Sequence, residues 1–281
     1  MSIASVESTL KAPRIVKPNE ANLATLDIER FPGAFKLDWR GLAVEGEFWD
    51  LGQYRRAIGR RIHPDEVTRW PRTICVAWRW YGQKRVEFVS EWGDGYDAML
   101  KAAHAVFDKA DAVQGHNMDG FDKKKLAGEW AMAGLTPPTP FKVIDTLKVA
   151  RSHLGMESNT LDSLCQRFGL VAKTDRYDIE VARAAIDGNK AAQKRIERYN
   201  RGDIIASEGL ADFLRPWHKT HPHLGTPADE RVCNRCGSTE LTLLPKRWRA
   251  NVQDYALYEC GNCGGHVRAG YVARVAHTRG V

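Results

Sequence analysis

Long apolar runs are missing from this 281-residue chain. No segment reaches the ~20 residues needed to span a bilayer, so a helical membrane protein is not expected. The opening MSIASVESTLKAPRIVKPNE holds no apolar core long enough for a signal peptide, and a cytoplasmic protein is expected. A large excess of one charge is missing too. Lys plus Arg number 42 against 35 Asp plus Glu, a formal +7 that suits a polyanionic partner without marking an extreme case. Cysteine is scarce outside two CxxC pairs: Cys75 and Cys165 lie singly in apolar segments, which argues against a disulfide framework. His104, His116 and His153 show no ligand-like spacing with one another and read as structural or surface residues. What is present is 43% hydrophobic residues, enough for one sizeable core and a smaller module.

Taken in order, residues 1–20 read as a flexible basic tail, 21–217 as the main domain, 218–230 as a Pro- and His-containing linker, and 231–281 as a separate module. ATLDIE, residues 24–29, reads as the first strand. From Phe31 to Trp70 the sequence is rich in Gly, Arg and aromatic residues without clear periodicity. It is expected to be a long loop whose aromatics pack onto the core, or else a substrate-contacting insertion. TICVAWRW and RVEFV, joined by Tyr81-Gly82-Gln83-Lys84, predict a β-hairpin. Met99, Leu100, Ala103, Val106 and Phe107 fall at helical spacing. Short strands near Ala112 and Phe141 then alternate with helices, the last running from Lys190 to Leu214. A hairpin followed by strands alternating with helices predicts an α/β fold on a mixed sheet flanked by helices.

Asp27 and Glu29 stand two apart on the first strand, hence on one face, where their charges repel unless a cation lies between them. A lone pair of this kind is more often an edge facing water, so partners elsewhere decide its meaning. Asp122 sits where a strand gives way to a helix, at the end of GHNMDGFD, and can project from the sheet's carboxyl rim. Asp119, one turn earlier, reads as a helix N-cap in preference to a ligand. Tyr199 and Asp203, four apart in YNRGD, share one face of the last helix. Asn117 either fixes the motif loop or touches substrate. Lys123, Lys124 and Lys125 read as a solvated helix face or as phosphate-steering groups. Asp145, closing a strand before Thr146, reads as a helix cap.

Together these residues resemble the DEDD superfamily of exonucleases on the ribonuclease H-like fold, and its tyrosine-containing (DEDDy) branch in particular. LDIE is similar to the first motif, GHNMDGFD to the second and the Y-x-x-x-D of YNRGD to the third, over residues 21–217. The spacing from Asn117 to Asp122 is similar to that of family B polymerase exonuclease domains. VIDTLKVAR and SNTLDSLCQRFGL are similar to segments of stand-alone phage and bacterial members. The resemblance implies a metal-dependent 3′-to-5′ exonuclease that releases nucleoside monophosphates. Its cofactors would be two Mg²⁺ or Mn²⁺ ions, with Asp27 bridging both, Glu29 and Asp203 on the ion that generates hydroxide, and Asp122 on the other. Tyr199 would orient the attacking water, with Asn117, Lys123 and Lys124 on the substrate. The implied partner is nucleic acid with a 3′ end, DNA before RNA, with a polymerase or another replication or repair protein alongside, in a bacterial or phage-infected cytosol. An exoribonuclease and a non-catalytic nucleic-acid-binding assembly protein on the same fold are the alternatives.

Cys233-Asn-Arg-Cys236-Gly237 and Cys260-Gly-Asn-Cys263-Gly264 form two CxxCG knuckles separated by strand-like Leu241–Leu244 and Tyr255–Tyr258. Four thiolates so spaced predict a tetrahedral structural Zn²⁺ site in a small C-terminal β zinc ribbon. From residue 231 onward the chain carries eight Lys or Arg against three acids, so the ribbon is expected either to contact nucleic acid or to dock a protein.

Overall fold

The computed structural model describes residues 22–171, 175–222, 231–250 and 253–274. The expected N-terminal tail and residues 223–230 of the linker lie outside the described residues. Strand β1 (Leu23–Phe31) runs into β2 (Gly33–Trp39) and β3 (Leu42–Phe48). The short helix α1 (Arg55–Ile58) and β4 (Val67–Arg69) follow, then the hairpin β5 (Arg72–Trp80) and β6 (Glu87–Ser90). Next come α2 (Tyr96–Lys109), β7 (Ala112–Gly115), α3 (Asp122–Met132), β8 (Lys142–Asp145) and α4 (Thr146–His153). The helices α5 (Leu161–Arg167), α6 (Ile179–Ile186) and α7 (Lys190–Leu214) complete this part. β1 lies at the centre of a five-stranded sheet ordered β6-β5-β1-β7-β8, antiparallel to β5 and parallel to β7, which in turn runs parallel to β8. The expected mixed α/β sheet and its hairpin are both present. Among the described residues no helix is long and apolar enough to cross a membrane.

Strand alternation divides the work of β1 between its two faces. Ala24, Leu26 and Ile28 point into an apolar core with the buried stripe of α2 and with Leu126 and Trp130 of α3. Thr25, Asp27 and Glu29 point the other way, toward α7. That helix lines its sheet-facing side with Asn200, Asp203, Ser207 and Glu208, all buried. Glu208 accepts from Thr25 at 3.4 Å and from the Arg79 guanidinium at 3.0 Å, so polar residues of β1 and β5 find partners on α7 instead of water. At the end of β1, Arg30 pairs with Glu129 of α3 at 3.1 Å, and the Thr73 amide donates to the same carboxylate at 3.0 Å. Both charged side chains are buried. Replacing Glu129 by Ala leaves the guanidinium and the amide without that acceptor, and a loss of about 3–5 kcal/mol is expected in urea unfolding. A loss below ~1 kcal/mol would show that the pair does not lock α3 to the sheet.

The stretch between β1 and β5 is not a loop laid on the main core. β2, β3 and β4 form their own three-stranded sheet, ordered β3-β2-β4. Phe35, Leu37 and Phe48 pack with Ile58 and Ile62 beneath it as a separate apolar cluster. Two local features account for this. GAFKLDW alternates after all, with Phe35 and Leu37 buried while Lys36 and Asp38 are exposed. Arg40 and Gly41 both adopt positive φ (55° and 81°), the two-residue turn that a twisted hairpin requires.

The C-terminal module is a second antiparallel sheet, β9 (Leu241–Arg249), β10 (Gln253–Cys260) and β11 (His266–Arg274), ordered β11-β10-β9. Both strand-like segments expected from the sequence fall inside β9 and β10. The start of the expected linker is ordered against the first knuckle: Arg235 Nε donates to the His218 carbonyl and Asn234 Nδ2 to that of His221, both at 3.1 Å.

Candidate active site and metal centres

Asp27 and Glu29 of β1 and Asp203 of α7 each offer a carboxylate oxygen, and these oxygens lie within 4.8 Å of one another. Asp203 is buried and the other two are half-buried. Three like charges at that separation in a partly desolvated setting repel strongly, and a divalent cation is what such a donor set accommodates. All-oxygen ligation suits a hard ion such as Mg²⁺ or Mn²⁺. Asn200, fully buried one turn before Asp203, donates Nδ2–H to Asp27 Oδ2 at 2.6 Å and so orients that carboxylate. Behind it, Cys75 Sγ approaches Asn200 Oδ1 at 3.8 Å. Burial first, then the charges of Glu29 and Asp27, push the Cys75 thiol well above its ordinary range, which keeps it protonated and inert.

Asp122 stands beside this triad but outside it. At the first position of α3 its Oδ1 accepts the Ile28 amide of β1 at 3.2 Å, which brings the second motif to the strand that carries the first. Burial pushes its carboxyl up to about 7. Its own and the Ile28 amides work against that shift, and the Asp145 charge adds to it. An aspartate whose folded pKa exceeds its unfolded value near 3.9 contributes stability that is complete below about pH 4 and is lost as pH rises through 7. Without added divalent cation, urea unfolding at pH 5 and pH 8 should therefore show a fall in stability on the order of a few kcal/mol, reduced in Asp122→Asn. An identical pH dependence in the two proteins would disprove this role of burial.

The loop before α3 is held by Asp145. This residue caps α4 by accepting from Leu147 and Lys148 amides at 3.0 and 3.3 Å, as the sequence predicts, and it also accepts from Asn117 and Asp119 amides at 3.1 Å each. Asn117 adopts φ +67°, and its Oδ1 lies against Gly120, so a Cβ at position 120 would force that amide to move. Its geometry is that of a loop-fixing residue. Asp119 is not the expected N-cap. Phe121 occupies that position, and the Asp119 carboxylate instead takes ion pairs from Lys123 and Lys148, which hold it down at about 2. Two ammonium groups within reach outweigh the capping of a helix that begins three residues later. Lys123 is thereby engaged, whereas Lys124 is exposed. His116 is structural, bridging Thr146 Oγ1 and the Asn159 carbonyl at 2.9 Å each.

Tyr199, one turn before Asp203, lies beside Tyr177, with ring centroids 6.4 Å apart. Both line a cleft of about 460 Å³ with Thr160, Asp162 and Gln166. The Tyr177 hydroxyl donates to the Arg30 carbonyl at 2.6 Å, one residue beyond Glu29. Burial, then the Glu29 charge, raise its pKa so far that it remains a neutral donor. Sequence reasoning singled out Tyr199 and Asp203 and passed over Asn200 and Tyr177. The signal for Asn200 was available, since Asn200, Asp203 and Ser207 recur at three and four residues and mark the sheet-facing side of α7. Nothing local marks Tyr177, whose part depends on a contact 147 residues away.

Cys233, Cys236, Cys260 and Cys263 converge in the second candidate centre. Sγ–Sγ separations are 3.8 Å for Cys233–Cys263 and 3.6 Å for Cys236–Cys260. A tetrahedron with Zn–S bonds near 2.3 Å has edges of about 3.8 Å, so the four sulfurs fit a zinc ion. Hydrogen bonds from Cys236 and Cys263 pull the Cys233 thiol down to about 3, while contact with the ionised Cys233 pushes Cys263 well up. The cluster thus retains protons that a bound cation would displace. In comparisons with known proteins, no protein-family model matches this chain and no curated protein matches it.

Proposed function

We propose that the protein is a metal-dependent 3′-to-5′ exonuclease of DEDDy type on a ribonuclease H-like fold, acting on DNA in preference to RNA, with a structural zinc ribbon at its C-terminus. The observation that carries this reading is the meeting of Asp27 and Glu29 on the central strand with Asp203 on α7, within 4.8 Å. Asp122, bonded to the Ile28 amide, and Tyr199, one helical turn from Asp203, support it. A central strand antiparallel to the nearer strand of a hairpin and parallel to the strands of two βα units is compatible with the fold.

Asp27, Glu29, Asp203 and Asp122 would hold the divalent cations, which when bound would supply hydroxide at neutral pH and neutralise the leaving oxygen of an in-line displacement. The chain's own residues do the rest. Asp27, held by Asn200, faces both halves of the site, while Glu29 and Asp203 define the side from which water attacks phosphorus. The Tyr199 hydroxyl orients that water. The water's P–O bond forms as the bond to the 3′ oxygen of the preceding nucleotide breaks, and a nucleoside 5′-monophosphate leaves.

The test is a panel of end-labelled single- and double-stranded DNA and RNA, incubated with Mg²⁺, with Mn²⁺ and with chelator. Stepwise shortening of 5′-labelled strands that stops with chelator is expected. Hydrolysis indifferent to chelator, or internal cleavage without stepwise products, would overturn the reading. The relative rates on DNA and RNA decide the substrate preference.

A further inference from the structure

The ribbon sheet has two faces of different character. On one, Leu241 and Val267 close over the four cysteines. Alternation along β10 places Tyr255 and Leu257 on the other. Trp248 of β9 pairs directly across from Tyr255, and Arg268 of β11 directly across from Leu257. The Arg268 guanidinium lies over the Tyr255 ring, 4.6 Å from its centroid. Trp248 is 50% exposed, although burying an indole would have been favourable. Lys246, two residues before it on the edge strand, is exposed. Glu259, at the knuckle end of the same face, closes the strip. Eight Lys or Arg against three acids from residue 231 onward add a field of the same sign.

We propose that this face binds single-stranded nucleic acid at a site separate from the carboxylate cluster, with Trp248 and Tyr255 stacking on bases and Arg268 and Lys246 meeting phosphates. An exposed indole beside a ring already capped by arginine offers flat apolar surface edged by cations. That combination matches a strand whose bases are unpaired and whose backbone is anionic. Paired bases in a duplex offer no free face to such a surface. An acidic protein would use the cations and leave the indole without a role.

The experiment measures fluorescence anisotropy of labelled oligo(dT) and oligo(U) titrated with the zinc-loaded full chain, without added Mg²⁺ or Mn²⁺. Trp248→Ala should weaken binding about tenfold, and Trp248→Phe should restore most of it. Exchanging both Lys246 and Arg268 for Glu should flatten the dependence of log affinity on log salt by about 1.4. Zinc content and circular dichroism confirm that each variant folds. An oligomer of equal length lacking bases should bind clearly more weakly than oligo(dT). Equal affinity for the abasic strand, or unchanged affinity in Trp248→Ala, would overturn the proposal and point to a surface that recognises charge alone. Binding measured without Mg²⁺ or Mn²⁺ does not depend on hydrolysis, so failure of the nuclease reading would leave this result standing.

Discussion

Asp203→Asn is expected to reduce nuclease activity by more than about 100-fold while making the cation-free protein more stable. The activity loss follows from the position of the side chain, since removing groups that merely support a metal ligand already costs 10–100-fold. The gain in stability follows from electrostatics. Asp203 is buried, and one of its oxygens lies within 4.8 Å of one from each of Asp27 and Glu29. Neutralising one of three crowded carboxylates relieves their mutual repulsion, and the amide keeps the volume of the side chain. A gain of about 1 kcal/mol would raise Tm by about 2–4 °C in a domain of this size. Mg²⁺ or Mn²⁺ should raise the wild-type Tm and leave that of Asp203→Asn almost unmoved. Asp27→Ala is a harsher change, because it also strands the buried Asn200 amide, and it should lose activity without the stability gain. A lower Tm in Asp203→Asn together with an undiminished response to Mg²⁺ would refute a cation site in the triad.

Stripping zinc, or replacing Cys236 by Ser, is expected to unfold the C-terminal module and leave the mixed sheet intact. The reason is the smallness of what else holds that module together: among the described residues, its buried apolar cluster consists of the four cysteines with Leu241 and Val267 packed against them. Structural zinc supplies about 10–16 kcal/mol of apparent folding free energy in comparably small units, far more than so few apolar contacts provide. Limited proteolysis should cut residues 231–268 of the stripped protein while the segment from β1 to α7 stays protected. Readdition of Zn²⁺ should restore resistance for the wild type and not for Cys236→Ser. Full protection of the module in metal-free, reduced protein would contradict this account.

The two centres differ in how far local sequence announced them. A CxxCG turn is made by adjacent residues, so the knuckles, the four ligands and the strands between them were legible before any fold was known. Asp27 and Glu29 were likewise placed on one face by alternation alone, as Tyr199 and Asp203 were by helical spacing. Asp119 shows where local rules mislead. Its spacing suited a cap, but Lys148, far along the chain, competes for its charge together with Lys123. The small β2–β3–β4 sheet was readable in part from its alternation, yet the dense aromatic and glycine content obscured it.

What the sequence by itself determined, then, is the periodic and the adjacent: the strands and helices of the main sheet, which side of β1 and α7 carries acid, and how two knuckles each present two thiols. What only the tertiary structure decided is everything that depends on distant segments meeting. Laying α7 across β1 brought Asp203 to Asp27 and Glu29 and set Asn200 to hold the first of them. Packing α3 against β1 turned Asp122 onto the Ile28 amide, and the approach of Tyr177 to Arg30 closed the wall of the cleft. Charge repulsion and desolvation act through space, so their outcome at these residues follows from the packed distances and is not encoded in any one stretch of chain.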